Sequence, residues 1–216
     1  MQQIVVVDFG TGNLHSVSKA LQHVADNASV VVSRDADTIG NADRVVLPGQ
    51  GAMGSWLAAM SRLGLGEAVA RALDNVPVLG ICLGMQAMLD HSDEDGGVEG
   101  LSIIDGTVTR FIRPAGDAGR GFKIPHMGWN RVHQARCHPL WNDIEDGSRF
   151  YFVHSYYANP VRKVDIVGTT DYILPFTSAI AQANMFATQF HPEKSHTQGL
   201  KLLTNFVTWN GSYDPD

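Results

Sequence analysis

Val76-Pro77-Val78-Leu79-Gly80-Ile81-Cys82-Leu83-Gly84-Met85-Gln86 runs from a short apolar stretch, through a Gly-x-Cys-x-Gly corner, into helix-forming residues. A brief apolar run after a proline reads as a buried strand, and Leu83 to Asp90 has helical composition, so Cys82 falls on a strand-to-helix corner. Glycines at 80 and 84 remove the Cβ atoms that would crowd such a corner. The expectation is a sulfur that stands exposed at the start of a helix, where unpaired N–H groups and positive potential favour the thiolate. The alternative is a buried structural thiol, since cysteine is among the most buried residue types.

A second segment tips the balance. Met185-Phe186-Ala187-Thr188-Gln189-Phe190 reads as a strand and leads into His191-Pro192-Glu193-Lys194-Ser195. Residues i and i+2 of an extended chain point the same way, so His191 and Glu193 can face one site. Alone, such a histidine is more often structural. With the Cys82 corner it completes a nucleophile, base and orienter: Cys82 attacks, His191 moves the proton and Glu193 orients the imidazole.

The rest of the chain supplies the frame. Residues 3–9, 29–33 and 44–48 read as strands, with helices over 13–25, 51–60 and 66–73, a βαβ rhythm that implies a mostly parallel sheet with helices on both faces. Beyond residue 100 the strand-like stretches crowd together at 101–112, 130–132, 149–156, 165–172, 178–184 and 185–190, so antiparallel pairs should extend the sheet. A helix over 197–209 closes the fold, and residues 211–216 read as a frayed tail. The fold class is therefore α/β, with an open, mostly parallel central sheet, flanking helices and added antiparallel strands. Sites in such sheets gather at strand carboxyl ends, where Gly10, Gly49, Cys82 and His191 fall.

Composition narrows the field. A chain of 216 residues, 44% hydrophobic, can bury one sizeable core and is short for two, so residues 1–216 are read as one domain. Two cysteines do not make a disulfide framework, and no signal-like or membrane-length apolar run is visible, so a cytoplasmic location is expected. A net charge of −6 with scattered Lys and Arg argues against a nucleic-acid surface. Cys137 and His138 are adjacent and point different ways, so they are read as structural or surface residues, and no metal site or cofactor is expected.

The two segments, Gly-x-Cys-x-Gly-x-Gln and Phe-His-Pro-Glu, resemble the signatures of the class I (triad) glutamine amidotransferases. Asp8-Phe9-Gly10-Thr11-Gly12-Asn13-Leu14-His15-Ser16-Val17, Leu47-Pro48-Gly49-Gln50-Gly51-Ala52-Met53 and Pro125-His126-Met127-Gly128-Trp129-Asn130 narrow the likeness. Within that family they resemble the glutaminase subunits of imidazole glycerol phosphate synthases, and the matches keep their order from residue 8 to residue 195. The resemblance implies a flavodoxin-like fold and hydrolysis of L-glutamine through a Cys82 thioester. It also implies a (β/α)8 cyclase subunit as partner, which takes the ammonia and makes imidazole glycerol phosphate and AICAR in histidine biosynthesis. An oxyanion hole is expected from backbone groups of Leu83 and of the turn at Gln50 and Gly51, where many relatives carry Val in place of Gln50. The same likeness places Gly51, Gln86, Glu94, Ser155 and Tyr156 around the amino-acid moiety of glutamine. For Glu94 the plain alternative is a solvated acidic loop, Ser92-Asp93-Glu94-Asp95. His154 is assigned a structural or positioning role. Asn13, Trp129, Tyr151 and Lys194 are candidates for the docking face, although a Trp in this setting can equally be core. Two other readings stay open: a triad amidotransferase serving a sugar-modification or pyridoxal-phosphate pathway, and a catalytically silent scaffold of the same fold.

Overall fold

In a computed structural model residues 1–115 and 121–214 are described, in the order β1 (Gln2–Val7), α1 (Leu14–Val24), β2 (Ala28–Ser33), α2 (Ala36–Gly40), β3 (Arg44–Gly49), α3 (Met53–Arg62), α4 (Gly66–Asn75), β4 (Val78–Cys82), α5 (Leu83–Gln86), β5 (Leu89–Ser92), β6 (Val98–Glu99), β7 (Ile104–Arg110), β8 (His126–Arg131), β9 (His133–Gln134), β10 (Arg149–His154), β11 (Tyr156–Pro160), β12 (Ile166–Asp171), β13 (Pro175–Gln182), β14 (Met185–Thr188) and α6 (His196–Thr208). The strands β2-β1-β3-β4-β14 run parallel. Antiparallel β13, β11 and β7 continue the sheet, β5 and β6 finish that edge, and β12 with β9 branches from β13.

Apart from the half-exposed edge strand β2, the parallel strands are covered on both faces, which is why they read as continuous apolar runs. Val5 and Val7 of β1, with Val45 and Leu47 of β3, pack under α2, α3 and α4 through Ile39, Trp56, Met60 and Val69. The intervening Ile4, Val6 and Val46 pack against α1 and α6 through Val17, Leu21, Leu202, Leu203 and Phe206. Alternate residues of one strand therefore build two separate cores.

Several boundaries differ from the sequence reading. The helix after Cys82 is a single turn that ends at Gln86, not Asp90. The carbonyls of Ala87 and Met88 instead accept the N–H groups of Leu101, Ile103 and Ile104, and Leu89–Ser92 becomes a strand beside β7. Tertiary hydrogen bonds override local helix propensity here. The stretch 101–112 narrows to Ile104–Arg110 for the same reason. The expected strand over 149–156 is two strands: β10 pairs with β8 in a separate ribbon, and after Ser155 the chain enters the main sheet as β11. The strand expected at 130–132 starts earlier, at His126, because its partner β10 supplies the pairing. The tail is not frayed through residue 214: Trp209 Nε1 donates to the Ser212 carbonyl at 2.9 Å, and the Tyr213 ring lies 4.5 Å from that of His138.

Candidate active site

Cys82 ends β4, opposite Gly49 of β3, while Ile81 is opposite Thr188 of β14. This register sets the thiol between the turn that leaves β3 and the segment that carries Gln189 and His191. Cys82 has φ 57° and ψ −105°, a conformation that a side-chain-bearing residue holds only when its surroundings enforce it. The enforcement is close packing. A Cβ on Gly84 would lie 1.9 Å from the Leu47 carbonyl oxygen, and one on Gly80 would lie 2.8 Å from both the Ala187 Cβ and the Gly84 carbonyl. Only glycines let the corner press this tightly on β3 and β14.

The sulfur does not stand proud of the surface. Cys82 is 8% exposed and lies at the floor of a cavity of about 570 Å³, and Gln189 Nε2 reaches its Sγ at 3.7 Å. The one-turn α5 also offers far less dipole than the longer helix expected. The main cationic partner of the thiol is therefore His191.

His191 and Glu193 meet as their spacing implies. His191 Nδ1 is 2.8 Å from Glu193 Oε1, with the side chains 6% and 1% exposed. Since Nδ1 is taken, Nε2 is the atom left for the thiol; it makes no hydrogen bond of good geometry in the resting site. Such bonds commonly tighten only when substrate is bound. Burial acts to lower the His191 pKa, but the negative sulfur of Cys82 and the Glu193 carboxylate outweigh it and raise the pKa to about 10. His191 is therefore an imidazolium at neutral pH, next to the Cys82 sulfur.

Gln50, Gly51, Leu83, Gln86, Glu94, His154, Tyr156 and Lys194 line the same cavity. The glycines beside Gln50 serve different ends. Gly49 is needed for packing, since a Cβ there would come within 2.7 Å of the Leu83 Cβ and 2.9 Å of Trp56 Nε1. Gly51 is needed for its backbone, with φ 92° and open space around it. Glu94 is less free than an acidic loop would suggest: its Oε2 accepts the Met53 N–H at 2.6 Å and so ties this loop to the start of α3. Ser155 is not among the residues that line the cavity, and its carbonyl accepts the Phe111 N–H at 2.9 Å.

One wall is a chain of neutral polar groups whose protons are set by their partners. The Tyr156 carbonyl can only accept, so His154 Nδ1 (2.8 Å) and Gln86 Nε2 (3.0 Å) both donate to it. His154 Nε2 must then accept from His126 Nδ1 at 3.0 Å, and His126 Nε2 accepts from Asn130 Nδ2 at 3.3 Å. Burial lowers both histidines, His126 to about 4 and His154 to about 3, so neither is a charged partner at neutral pH. Gln86 Nε2 uses its second hydrogen on Gln189 Oε1 at 2.9 Å, which leaves its own carbonyl oxygen as the group to meet a ligand.

Outside the cavity, Trp129 and Tyr151 face each other across the β8–β10 ribbon. Trp129 is 39% exposed and stacks on His196 at 4.9 Å, and Lys194 Nζ sits 5.6 Å from the Tyr151 ring. Trp129 is thus a surface residue and not core. Asn13 caps α1 through its carbonyl, in the loop that begins with the cavity residues Gly10 and Thr11. Cys137 is exposed, whereas His138 is buried among Phe186, Trp209 and Tyr213. No group of three or more His, Cys, Asp or Glu side chains among the described residues is arranged to hold a metal ion.

The sequence reading gave no role to Gln189 or His126. Gln189 was detectable by the argument that paired His191 with Glu193, since it lies two residues before His191 on an extended segment. His126 stood in a quoted motif, but nothing local announces a partner 28 residues away.

Residues 5–209 match the family described as glutamine amidotransferase class-I. The chain is 54% identical over 209 residues to the imidazole glycerol phosphate synthase subunit HisH of Thiobacillus denitrificans, covering 96% of this chain and 91% of that one. It is 49% identical over 213 residues to the protein of the same name from Pseudomonas putida, covering 99% and 100% of the two chains. Among solved structures it resembles PurLQS from Thermotoga maritima, with TM-score 0.70, 17% identity and coverage of 95% and 97%. A structure described as a glutamine amidotransferase gives TM-score 0.69 at 14% identity, with coverage of 94% and 96%. The chain belongs to the class I glutamine amidotransferase family.

Proposed function

We propose that this chain is the glutaminase subunit of an imidazole glycerol phosphate synthase, acting as a single amidotransferase domain. The observation that carries this is the cavity in which Cys82, at a strained strand-to-helix corner, lies beside a buried His191–Glu193 pair. Its near full-length likeness to HisH subunits supports the choice of pathway.

In this reading the Cys82 thiolate attacks the side-chain amide carbon of L-glutamine. The oxyanion that forms is held by the Leu83 N–H and by the Gln50–Gly51 turn, each such donor being worth about 10²–10³ in rate. Imidazolium His191 gives its proton to the departing nitrogen, which leaves as ammonia, and a glutamyl thioester remains. Neutral His191 then takes a proton from water, whose oxygen attacks the thioester, and glutamate and the thiolate are released. Glu193 keeps the proton on Nδ1 and steadies the imidazolium throughout. Gln86, Glu94 and Tyr156, which line the cavity, hold the amino-acid end of glutamine beside Gly51.

Ammonia that escaped into water would protonate, so it must pass through a sealed route to an acceptor enzyme. The reading therefore includes a (β/α)8 cyclase subunit, docked over Asn13, Trp129, Tyr151 and Lys194, with ligand bound to the cyclase biasing the Gln50 turn toward its oxyanion-holding form. The test is glutamate release by the purified chain, alone and with the cyclase and its nucleotide ligand. Low activity alone that rises steeply in the complex is expected. High activity alone would point to another triad glutaminase, and none in any condition to a silent scaffold.

A further inference from the structure

Gln189 is fully buried, and its main-chain N–H and both polar atoms of its side chain are engaged. Its main-chain N–H donates to the Ser178 carbonyl at 2.9 Å. Its Oε1 accepts from Gln86 Nε2 at 2.9 Å, and the Tyr156 carbonyl anchors that same nitrogen at 3.0 Å. The direction of the Gln189 amide is therefore determined: turned over, it would set its N–H group against the N–H group of Gln86. In the direction that remains, Nε2 faces the Cys82 Sγ at 3.7 Å, within range of a hydrogen bond to sulfur. A donor held against sulfur favours the thiolate, which accepts far better than the thiol.

We propose that Gln189 is a positioning residue for the nucleophile: its side-chain N–H holds the Cys82 sulfur as a thiolate and aims it, as a donor separate from His191. The assignment deepens the glutaminase reading and rests on it for its meaning in catalysis. During attack the sulfur gives its electron pair to the amide carbon and the hydrogen bond weakens. When the thioester carbon–sulfur bond breaks, the electron pair returns to sulfur and the Gln189 N–H again donates its hydrogen bond to the thiolate. Through Gln86 the amide also ties the wall of the cavity to the sulfur by two consecutive hydrogen bonds, so a ligand that pulls on Gln86 acts on the nucleophile.

The test reads the thiol directly. In a Cys137→Ser background, Cys82 is the only cysteine, and its rate of alkylation by iodoacetamide is followed against pH for the parent, Gln189→Met and Gln189→Glu. Loss of the donor should move the inflection up by about one pH unit, a tenfold loss of thiolate on the acid side. The plateau at high pH should stay unchanged, and the carboxylate should shift the inflection further than the thioether. If a variant does not fold, the parent itself carries the test: the Gln189 side-chain amide resonances should move with the Cys82 titration. An inflection that stays in place in a folded variant, or amide resonances that ignore the thiol, overturns the proposal. Alkylation needs neither glutamine nor a partner, so this result stands apart from the glutaminase assay.

Discussion

The main-chain N–H of His191 donates to the carbonyl of Tyr151 at 2.9 Å, which ties the proposed base to the β8–β10 ribbon. Ser195 closes the link: its hydroxyl donates to the His191 carbonyl at 2.6 Å and accepts the Tyr151 N–H at 3.0 Å. Removing the hydroxyl in Ser195→Ala strands the half-buried Tyr151 N–H and frees the His191 turn. The expected loss is about 1–3 kcal/mol of stability in urea unfolding, together with a fall in kcat larger than any rise in KM. An unchanged kcat would show that the ribbon and the base are not coupled.

Cys82→Ala should abolish glutamate release, because no other thiol among the described residues lines the cavity. In complex with the cyclase, synthesis driven by added ammonium salt should persist. Loss of both activities would contradict the division of labour between the subunits.

What was legible in the sequence followed short-range rules. Cys82 was placed at its corner because Gly80 and Gly84 flank it, and His191 and Glu193 share a face because two residues separate them. The parallel half of the sheet was legible because strands buried on both faces are continuously apolar, as residues 4–7 and 45–47 are. The reading weakened where distant pairing decides structure. The helix beyond Gln86 is lost to hydrogen bonds from residues 101–104, and the break at Ser155 arises because β10 pairs with β8 while β11 pairs with β7 and β13. His126 went unassigned for the same reason, since its partner His154 lies far along the chain; Gln189 has the same two-residue spacing to His191 that Glu193 has, and that signal was passed over.

Trp129 presents a half-open indole braced on one side by His196 and edge-on to Tyr151, 6.1 Å away. Aromatic side chains held rigidly at a rim are the usual anchors of interfaces. Trp129→Ala should weaken binding of the cyclase by about 2 kcal/mol, roughly thirtyfold in Kd, by calorimetric titration. A change of less than threefold, on the order of 0.6 kcal/mol, would move the docking face elsewhere.

His138 is a buried neutral imidazole whose Nδ1 accepts the Leu140 N–H at 3.0 Å, and burial lowers its pKa to about 3. A histidine lowered on folding binds its proton more readily in the unfolded chain, so its contribution is intact above about pH 6.5 and stability falls as the pH drops below it. The slope is on the order of 1.4 kcal/mol per pH unit for each such group, and His126 and His154 add to it down to about 4 and about 3. His138→Asn retains a side-chain oxygen for the Leu140 N–H but cannot titrate. It should be less stable at pH 7.5, with a cavity where the ring was, yet lose less on going to pH 5. Parallel stability curves for the two proteins would rule out this source of acid sensitivity.

His191 shows the opposite sign. Its pKa lies above the unfolded value, so the stabilisation is complete below about pH 6.5 and is lost as the pH rises toward about 10. The same protonation sets the alkaline limb of catalysis, because the departing ammonia takes its proton from the imidazolium. In Glu193→Gln the amide retains an oxygen for Nδ1 but withdraws the charge that helps to raise the pKa. The alkaline limb of kcat should therefore move to lower pH, and the loss of stability on the alkaline side should begin from a smaller gain. At its optimum kcat should fall by about 10²–10⁴, the range in which orienting groups of other triads operate. A pH–rate profile of glutamate release in the cyclase complex, parent against variant, decides the matter. A lower kcat with the alkaline limb in its original place would mean that Glu193 orients the ring without tuning its charge.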